Sequence, residues 1–179
     1  MNEVLIISDH LIMAGAERLI YELAYFAQQN NLKVTVLIDN NYNTEYYDAV
    51  FKTMGIRVVR TSLQGLNKLR HPVNFFRALY WQTKLKHFAA KYFKSIHVIG
   101  LYNVHKVIDT VIHPNRFFWH VNNAVQHPEE RYPFSPANFQ NSEDTIIYIN
   151  EYQADEISGQ YGDDIKCKTQ IFKLFIAHE

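Results

Sequence analysis

The chain predicts a doubly wound parallel α/β sheet of about seven strands with helices on both faces, and three observations carry that reading. Short apolar runs, Val4-Leu5-Ile6-Ile7 first among them, lack the polar alternation of a half-exposed strand and suit strands buried on both faces. Between those runs lie segments with apolar residues at helical spacing, as crossover helices require. At the first junction, SDHLIMAGAERLIYELAYFA, the chain passes from strand to helix through the small residues Ala14-Gly15-Ala16.

Along the chain the elements are strand 4–8, helix 15–29, strand 33–38, helix 44–54, strand 56–60, a long helical stretch 72–93, strand 96–100, helix 103–112 and strand 116–121. A proline-containing loop 127–139, strand 145–149, helix 151–160 and a last strand 168–175 complete it. In the first helix Leu19, Ile20, Leu23, Tyr25, Phe26 and Ala27 wrap one broad side, with Glu17 and Glu22 early, where the helix dipole favours negative charge. In the long stretch, steps of about 100° per residue place Trp81, Leu85, Phe88 and Tyr92 on one core-facing stripe. Arg77, Lys84 and Lys91 fall on the adjacent stripe, near Phe76, Tyr80 and His87. Phe117-Phe118-Trp119 reads as a buried strand, and the loop from His127 follows its end, where binding loops are found.

Right-handed crossovers collect the turns that follow strands along one edge of such a sheet, and ligands bind at that edge. The residues placed there are Asp9 and His10, Asp39 and Asn40, Thr61 and Ser62, Gly100 to Asn103, His120 to Asn123, and Asn150 with Glu151.

A length of 179 residues with 47% hydrophobic content allows one sizeable core, so a single domain is expected. The single cysteine, Cys167, excludes an internal disulfide. The start Met1-Asn2-Glu3-Val4-Leu5 lacks the basic region and long apolar stretch of a signal peptide, and no run is long enough to span a bilayer, so a cytoplasmic location is expected. Net charge is zero, yet no acidic residue occurs between Asp48 and Asp109, where eleven lysines and arginines stand. Such a basic block suits a surface that meets phosphate, and beside exposed aromatics it suits a helix resting on an anionic membrane; a solvated basic face is the alternative. No RNP, KH or helix-turn-helix pattern supports a nucleic-acid partner.

The small-residue turn admits two readings: close approach of a phosphate or sugar hydroxyl to the helix amides, or plain tight packing of strand on helix. His120, where its strand leaves the sheet, can exchange a hydrogen bond with a sugar hydroxyl, or can be satisfied by neighbouring backbone. His113, His120 and His127 are seven apart but spread before, at the end of and after one strand, and without HExxH or cysteine pairs no metal site is expected. The GxGxxG dinucleotide fingerprint and the GxSxG elbow are absent, so no cofactor is expected.

Taken together, the loop Ala14-Gly15-Ala16-Glu17-Arg18, the helix with Leu23-Ala24, the strand entry Asn31-Leu32-Lys33-Val34-Thr35-Val36, the strand Phe117-Phe118-Trp119-His120, the segment Thr145 to Glu151 and the strand from Lys168 resemble the N-terminal domain of retaining, family-4-type GT-B glycosyltransferases, a Rossmann-like domain. The match departs from that family's pattern at Ala14, which replaces the first loop glycine, and at Asn30-Asn31, which replace a Gly-His pair. What the resemblance implies is an acceptor-side domain, residues 1–179, whose donor-binding partner domain lies outside this chain. It implies metal-independent transfer of a sugar from a nucleotide-sugar donor to a glycan or lipid-linked acceptor in bacterial surface polysaccharide synthesis, with the isolated chain inactive. On that resemblance His120 is the catalytic candidate. His10, Ala14, Gly15, Ala16, Glu17, Asn122, Asn123 and Glu151 are the substrate-binding candidates. Arg77, Lys84 and Lys91 would touch the membrane or the acceptor phosphate, holding the protein peripherally on the inner face of the cell membrane. The rival readings are a non-catalytic α/β module that binds a glycan or a partner protein, and a stand-alone nucleotide-binding regulator.

Overall fold

A computed structural model describes residues 2–39, 44–61, 93–99, 111–121 and 139–173, with eight helical positions between Val73 and Lys86. Val4 to Ile7 form the buried centre of β1 (Glu3–Ser8), and the alternation of a strand splits them between two cores. Val4 and Ile6 face one side with Val34, Val36 and Ile38 of β2 (Lys33–Ile38). Leu5 and Ile7 face the other with Leu37.

Between these strands α1 (Gly15–Gln29) lays Leu19, Ile20, Ala24 and Ala27 onto the Ile6 side, and α2 (Tyr46–Thr53) adds Tyr47 and Phe51 to the same core. Full burial of a side chain such as Ile20 is worth about 1.5–3 kcal/mol, which fixes the helix face. Both helices end in left-handed residues, Asn31 at φ 57° and Gly55 at φ 69°, and both close with a bond back across the last turn, Leu32 N to Ala27 O and Ile56 N to Phe51 O, each 2.9 Å. Asn31 thus does the work of a helix-ending glycine, for which asparagine is the usual substitute.

The remaining strands are β3 (Arg57–Arg60), β4 (Ser95–Ile99), β5 (Arg116–Trp119), β6 (Thr145–Tyr148) and β7 (Lys168–Ile171). All seven lie in one parallel sheet of order β3-β2-β1-β4-β5-β6-β7, the Rossmann-like arrangement that the apolar runs predict. Steps from β1 to β3 run one way across the sheet and steps from β4 to β7 the other. Right-handed crossovers therefore put α1 and α2 on one face and α3 (Glu151–Tyr161) on the opposite one, where Ile157 and Tyr161 join the Leu5 core.

At the N-terminal edge Arg116 grips the buried Asp144 through Nε to Oδ1 at 2.8 Å and through a second nitrogen to Oδ2 at 2.6 Å, and also reaches the Val111 carbonyl at 2.9 Å. This clamp joins the starts of β5 and β6.

Differences from the expected boundaries are local. β5 stops at Trp119 rather than 121, α2 is shorter because Glu45 is its cap, and β7 ends at Ile171 with all four residues exposed, as an edge strand permits. Val111 and Ile112 are not helical, whereas the expected helix reached 112; residues 103–110 lie outside the described set. Phe139, expected in the loop, is fully buried in the Leu5 core.

Candidate functional site

The strand order reverses between β1 and β4, so the turn after β1 lies at the switch point where open parallel sheets bind ligands. Here His10 is the centre of a polar cluster. Its Nδ1 is 3.2 Å from Oε1 of Glu45, which stands just before α2, and its Nε2 is 3.9 Å from Asp9 Oδ2. A carboxylate only accepts, so the His10–Glu45 bond requires the proton on Nδ1. Glu45 Oε2 accepts from the Leu11 amide at 2.9 Å and from Arg60 at 2.9 Å, and Arg60 also pairs with Asp48. Asp48 in turn accepts from the Glu45 amide at 2.6 Å. The ends of β1 and β3 and the start of α2 are thereby locked together, with 29% of the His10 side chain exposed.

Next to this cluster α1 begins at Gly15 with Ala14 as a cap that offers no side-chain oxygen. Glu17 lies in the first turn, and its own backbone amide favours the charged form of its carboxylate. The residue is 5% exposed, and its Oε2 has no hydrogen-bond partner. Burial raises its pKa, and the neighbouring Asp9 and Glu45 add to the rise while His10 opposes it. A Cβ built on Gly15 would meet nothing within 4 Å, and its φ lies outside the left-handed region. Tight packing therefore does not explain the glycine. Gly15→Ala is expected to leave stability unchanged or to raise it by about 0.4–1 kcal/mol, measured by urea denaturation; a clear loss of stability would restore the packing reading. The lip of the turn is apolar: Ile12 and Met13 are 47% and 75% exposed.

Of the expected site residues, His10, Ala14, Gly15, Ala16 and Glu17 are brought together here. His120 lies two strands away, about 10 Å at the usual strand spacing. It follows β5 as expected but is buried, 4% exposed, and burial lowers its pKa to about 4, so the ring is neutral at physiological pH. Its carbonyl accepts from Gln153 Nε2 at 3.1 Å. Gln153 also takes the Ile149 amide at 3.0 Å and is itself bonded by Asn150, whose side chain caps α3 at 2.8 Å. Asn150 thus supplies the side-chain cap of α3. Glu151, in the first turn of α3, is exposed. Asn122, Asn123, Arg77 and Lys91 lie outside the described residues. Lys84 is exposed, its Nζ 4.7 Å from the Tyr80 ring centre.

Glu45 and Arg60 were not singled out from the sequence. The signal for Glu45 is the spacing Glu45-x-x-Asp48 ahead of an apolar helix, a capping pattern. Two other histidines are structural. His113 accepts from the Asn115 amide at 3.0 Å and bonds the Phe93 carbonyl at 2.9 Å. His97 stacks on Phe117 with centroids 4.8 Å apart and accepts from Trp119 Nε1 at 3.1 Å. Cys167 is buried, and burial pushes its thiol up to about 11, out of the range of a reactive nucleophile.

A cavity of about 490 Å³ opens at the opposite edge of the sheet, between the ends of α1 and α2, lined by Glu3, Gln28, Lys33 and Arg57 among others. Its inner polar groups are paired, Thr35 to Glu3 at 2.8 Å and Gln28 to the Met54 carbonyl at 2.8 Å, and it lies at the strand starts, away from the switch point. Among the described residues no cluster of three His, Cys, Asp or Glu is placed to hold a metal ion, and no helix is long and apolar enough to cross a membrane. No protein-family model, curated protein or solved structure matches the chain.

Proposed function

We propose that this chain is the acceptor-side domain of a retaining, metal-independent glycosyltransferase, which moves a sugar from a nucleotide-sugar donor to a glycan or lipid-linked acceptor in bacterial surface polysaccharide synthesis. The observation that carries the reading is the turn at the switch point, where nothing packs within 4 Å of a Cβ built on Gly15 at the start of α1, beside polar His10, Asp9 and Glu17. Hydroxyl-rich ligands suit such an open polar turn, and the exposed Ile12 and Met13 within it suit the lipid side of an acceptor. The carboxylates make it a poor seat for diphosphate, so phosphates of the donor belong with the companion domain and with the amides of Ala14 to Ala16 only at their outer rim. Domain closure joins the two halves and brings the transferring sugar toward His120 and Glu151. His120 acts there as a neutral hydrogen-bonding group.

The test is sugar transfer from a panel of nucleotide sugars to lipid-linked acceptors by the protein together with its donor domain. Transfer is expected, absent from the 179-residue chain alone, and His120→Ala is expected to lower turnover by about tenfold or more. Transfer by the chain alone would remove the two-domain reading, and normal turnover in His120→Ala would return that histidine to a packing role. The burial of His120 favours a second reading, a non-catalytic glycan- or partner-binding module, for which saccharide binding without any transfer is the signature.

The helical positions from 73 to 86 support a peripheral membrane contact. Val73, Phe76, Leu79 and Tyr80 are 44–67% exposed beside Lys84 and Lys86. Arg77, Lys84 and Lys91 changed together to Gln are expected to weaken sedimentation with anionic liposomes, each charge contributing about 1 kcal/mol near such a surface. Unchanged sedimentation would leave these residues as a solvated face.

A further inference from the structure

The first turn of α1 holds hydrogen-bonding groups of both signs that the chain itself does not use. Ala14 caps the helix without a side-chain oxygen, and among the described residues no acceptor meets the amides of Gly15 and Ala16. Glu17, in the same turn, is 5% exposed, and its Oε2 has no hydrogen-bond partner. Its own backbone amide favours the charged form, which sets the carboxylate beside those donors. A buried carboxylate oxygen without a donor is costly, and such an atom marks a place where a partner from outside completes the bonding. Access is open on the Gly15 side, where a built Cβ meets nothing within 4 Å. The terminal torsion of glutamate is broad and two-fold, so a half-turn of the carboxylate presents either oxygen without moving the helix.

Charge decides the chemistry of that partner. A helix N-terminus by itself favours an anion. Here Asp9 and Glu45 act on Glu17 with its own sign, His10 opposes them, and Arg60 is tied to Glu45 and Asp48. A phosphate would therefore meet a cluster of carboxylates. An ammonium group would suit the carboxylates, but it has no acceptor to offer the amides. A hydroxyl donates to a carboxylate and accepts from an amide, so two adjacent hydroxyls on one ring satisfy both.

We infer that the first turn of α1 binds a vicinal diol of an uncharged acceptor sugar, the Glu17 carboxylate accepting from one hydroxyl and the amides of Gly15 and Ala16 donating to its neighbour. The inference rests on the glycosyltransferase reading above and names the acceptor class within it: a neutral sugar ring with two adjacent free hydroxyls, phosphate coming no closer than the rim of the turn. Glu17 is a binding group in this arrangement. It takes no part in making or breaking bonds, so the retention of configuration at the anomeric carbon is untouched by it.

The test titrates this chain with methyl glycosides of glucose, mannose and N-acetylglucosamine, and separately with inorganic phosphate, while proton–nitrogen NMR follows the backbone amides. At least one glycoside is expected to shift the Gly15 and Ala16 amides, and phosphate at the same concentration is expected to leave them in place. Glu17→Ala is expected to weaken that glycoside about tenfold, the loss of one charge-assisted hydrogen bond. Glu17→Gln, which keeps the shape and an acceptor oxygen without the charge, is expected to fall between the two. Unchanged affinity in Glu17→Ala overturns the proposal; should that variant not fold, Glu17→Gln with the affinity of the parent overturns it instead. Phosphate that moves the two amides as strongly as a glycoside overturns it in favour of an anion seat. A glycoside that shifts other amides but neither of these also overturns it and leaves the glycan reading standing. Silence toward every glycoside overturns it too, and the transfer assay above then decides the glycosyltransferase reading by itself.

Discussion

Replacing Asp144 by asparagine is expected to destabilise the fold by about 3–5 kcal/mol, the penalty for breaking a buried ion pair and leaving one charge uncompensated. Asp144 is 2% exposed and the Arg116 side chain 12%, so water cannot replace the lost partner. The two parallel bonds at 2.8 and 2.6 Å, a third from Arg116 to the Val111 carbonyl, and the Phe118 ring 5.3 Å below the guanidinium fix one geometry. The pair ties β5 to β6 at the strand starts, away from the turn after β1, so its effect falls on stability and leaves the cluster around His10 alone. Urea denaturation of the variant checks it. A midpoint close to that of the parent would mean that the region around Arg116 relaxes and lets water in. The double replacement Arg116→Met with Asp144→Leu is expected to recover most of the loss, because the desolvation of two charges disappears with them.

Acid is expected to weaken the fold between pH 6.5 and 4, above the range in which most carboxylates titrate. His97 and His120 are both held by burial at about 4, against an ordinary 6.5. In that interval the unfolded chain binds protons that the folded chain refuses, so their contribution is fully present above pH 6.5 and is lost as the pH falls toward 4. A shift of this size corresponds to about 3 kcal/mol per histidine, and two of them approach the lower end of a domain's whole stability of about 5–15 kcal/mol. Glu17 has the opposite sign: its raised carboxyl favours the folded state at low pH and offsets part of the loss. The physical obstacle at His97 is specific. Trp119 Nε1 can only donate, so Nδ1 of His97 must stay bare, and a proton there would set N–H against N–H. The check is a series of urea midpoints from pH 7 to 4.5, with His97→Phe expected to flatten about half of the slope. A midpoint that holds constant over this interval would show that the rings take up protons without disturbing their neighbours.

The sheet was legible because strands buried on both faces need unbroken apolar runs and helices between them need an apolar stripe, and both patterns are local. Each of the seven strands was placed within a few residues, and errors occur only at ends, where a cap such as Glu45 or the departure of the chain after Trp119 sets the limit. The turn from His10 to Glu17 was legible for the same reason: its residues are neighbours in the chain as well as in space.

The partners of that turn were not legible. Glu45 comes from a later unit and reaches His10, with Arg60 behind it on Glu45, only because the strand order places β3 and the start of α2 on the β1 side of the switch point. The burial of His120 depends on its whole surroundings, among them Gln153 from the following unit, whose side-chain amide takes the His120 carbonyl. Whether Gly15 served tight packing was open until a Cβ built on it proved to meet nothing within 4 Å. Local pattern thus determines which segments become strands and helices, since hydrophobic periodicity is read a few residues at a time. Which side chains share a crevice, and which histidine is open and which is covered, is decided by tertiary structure, because crossover handedness and strand order set the long-range neighbours.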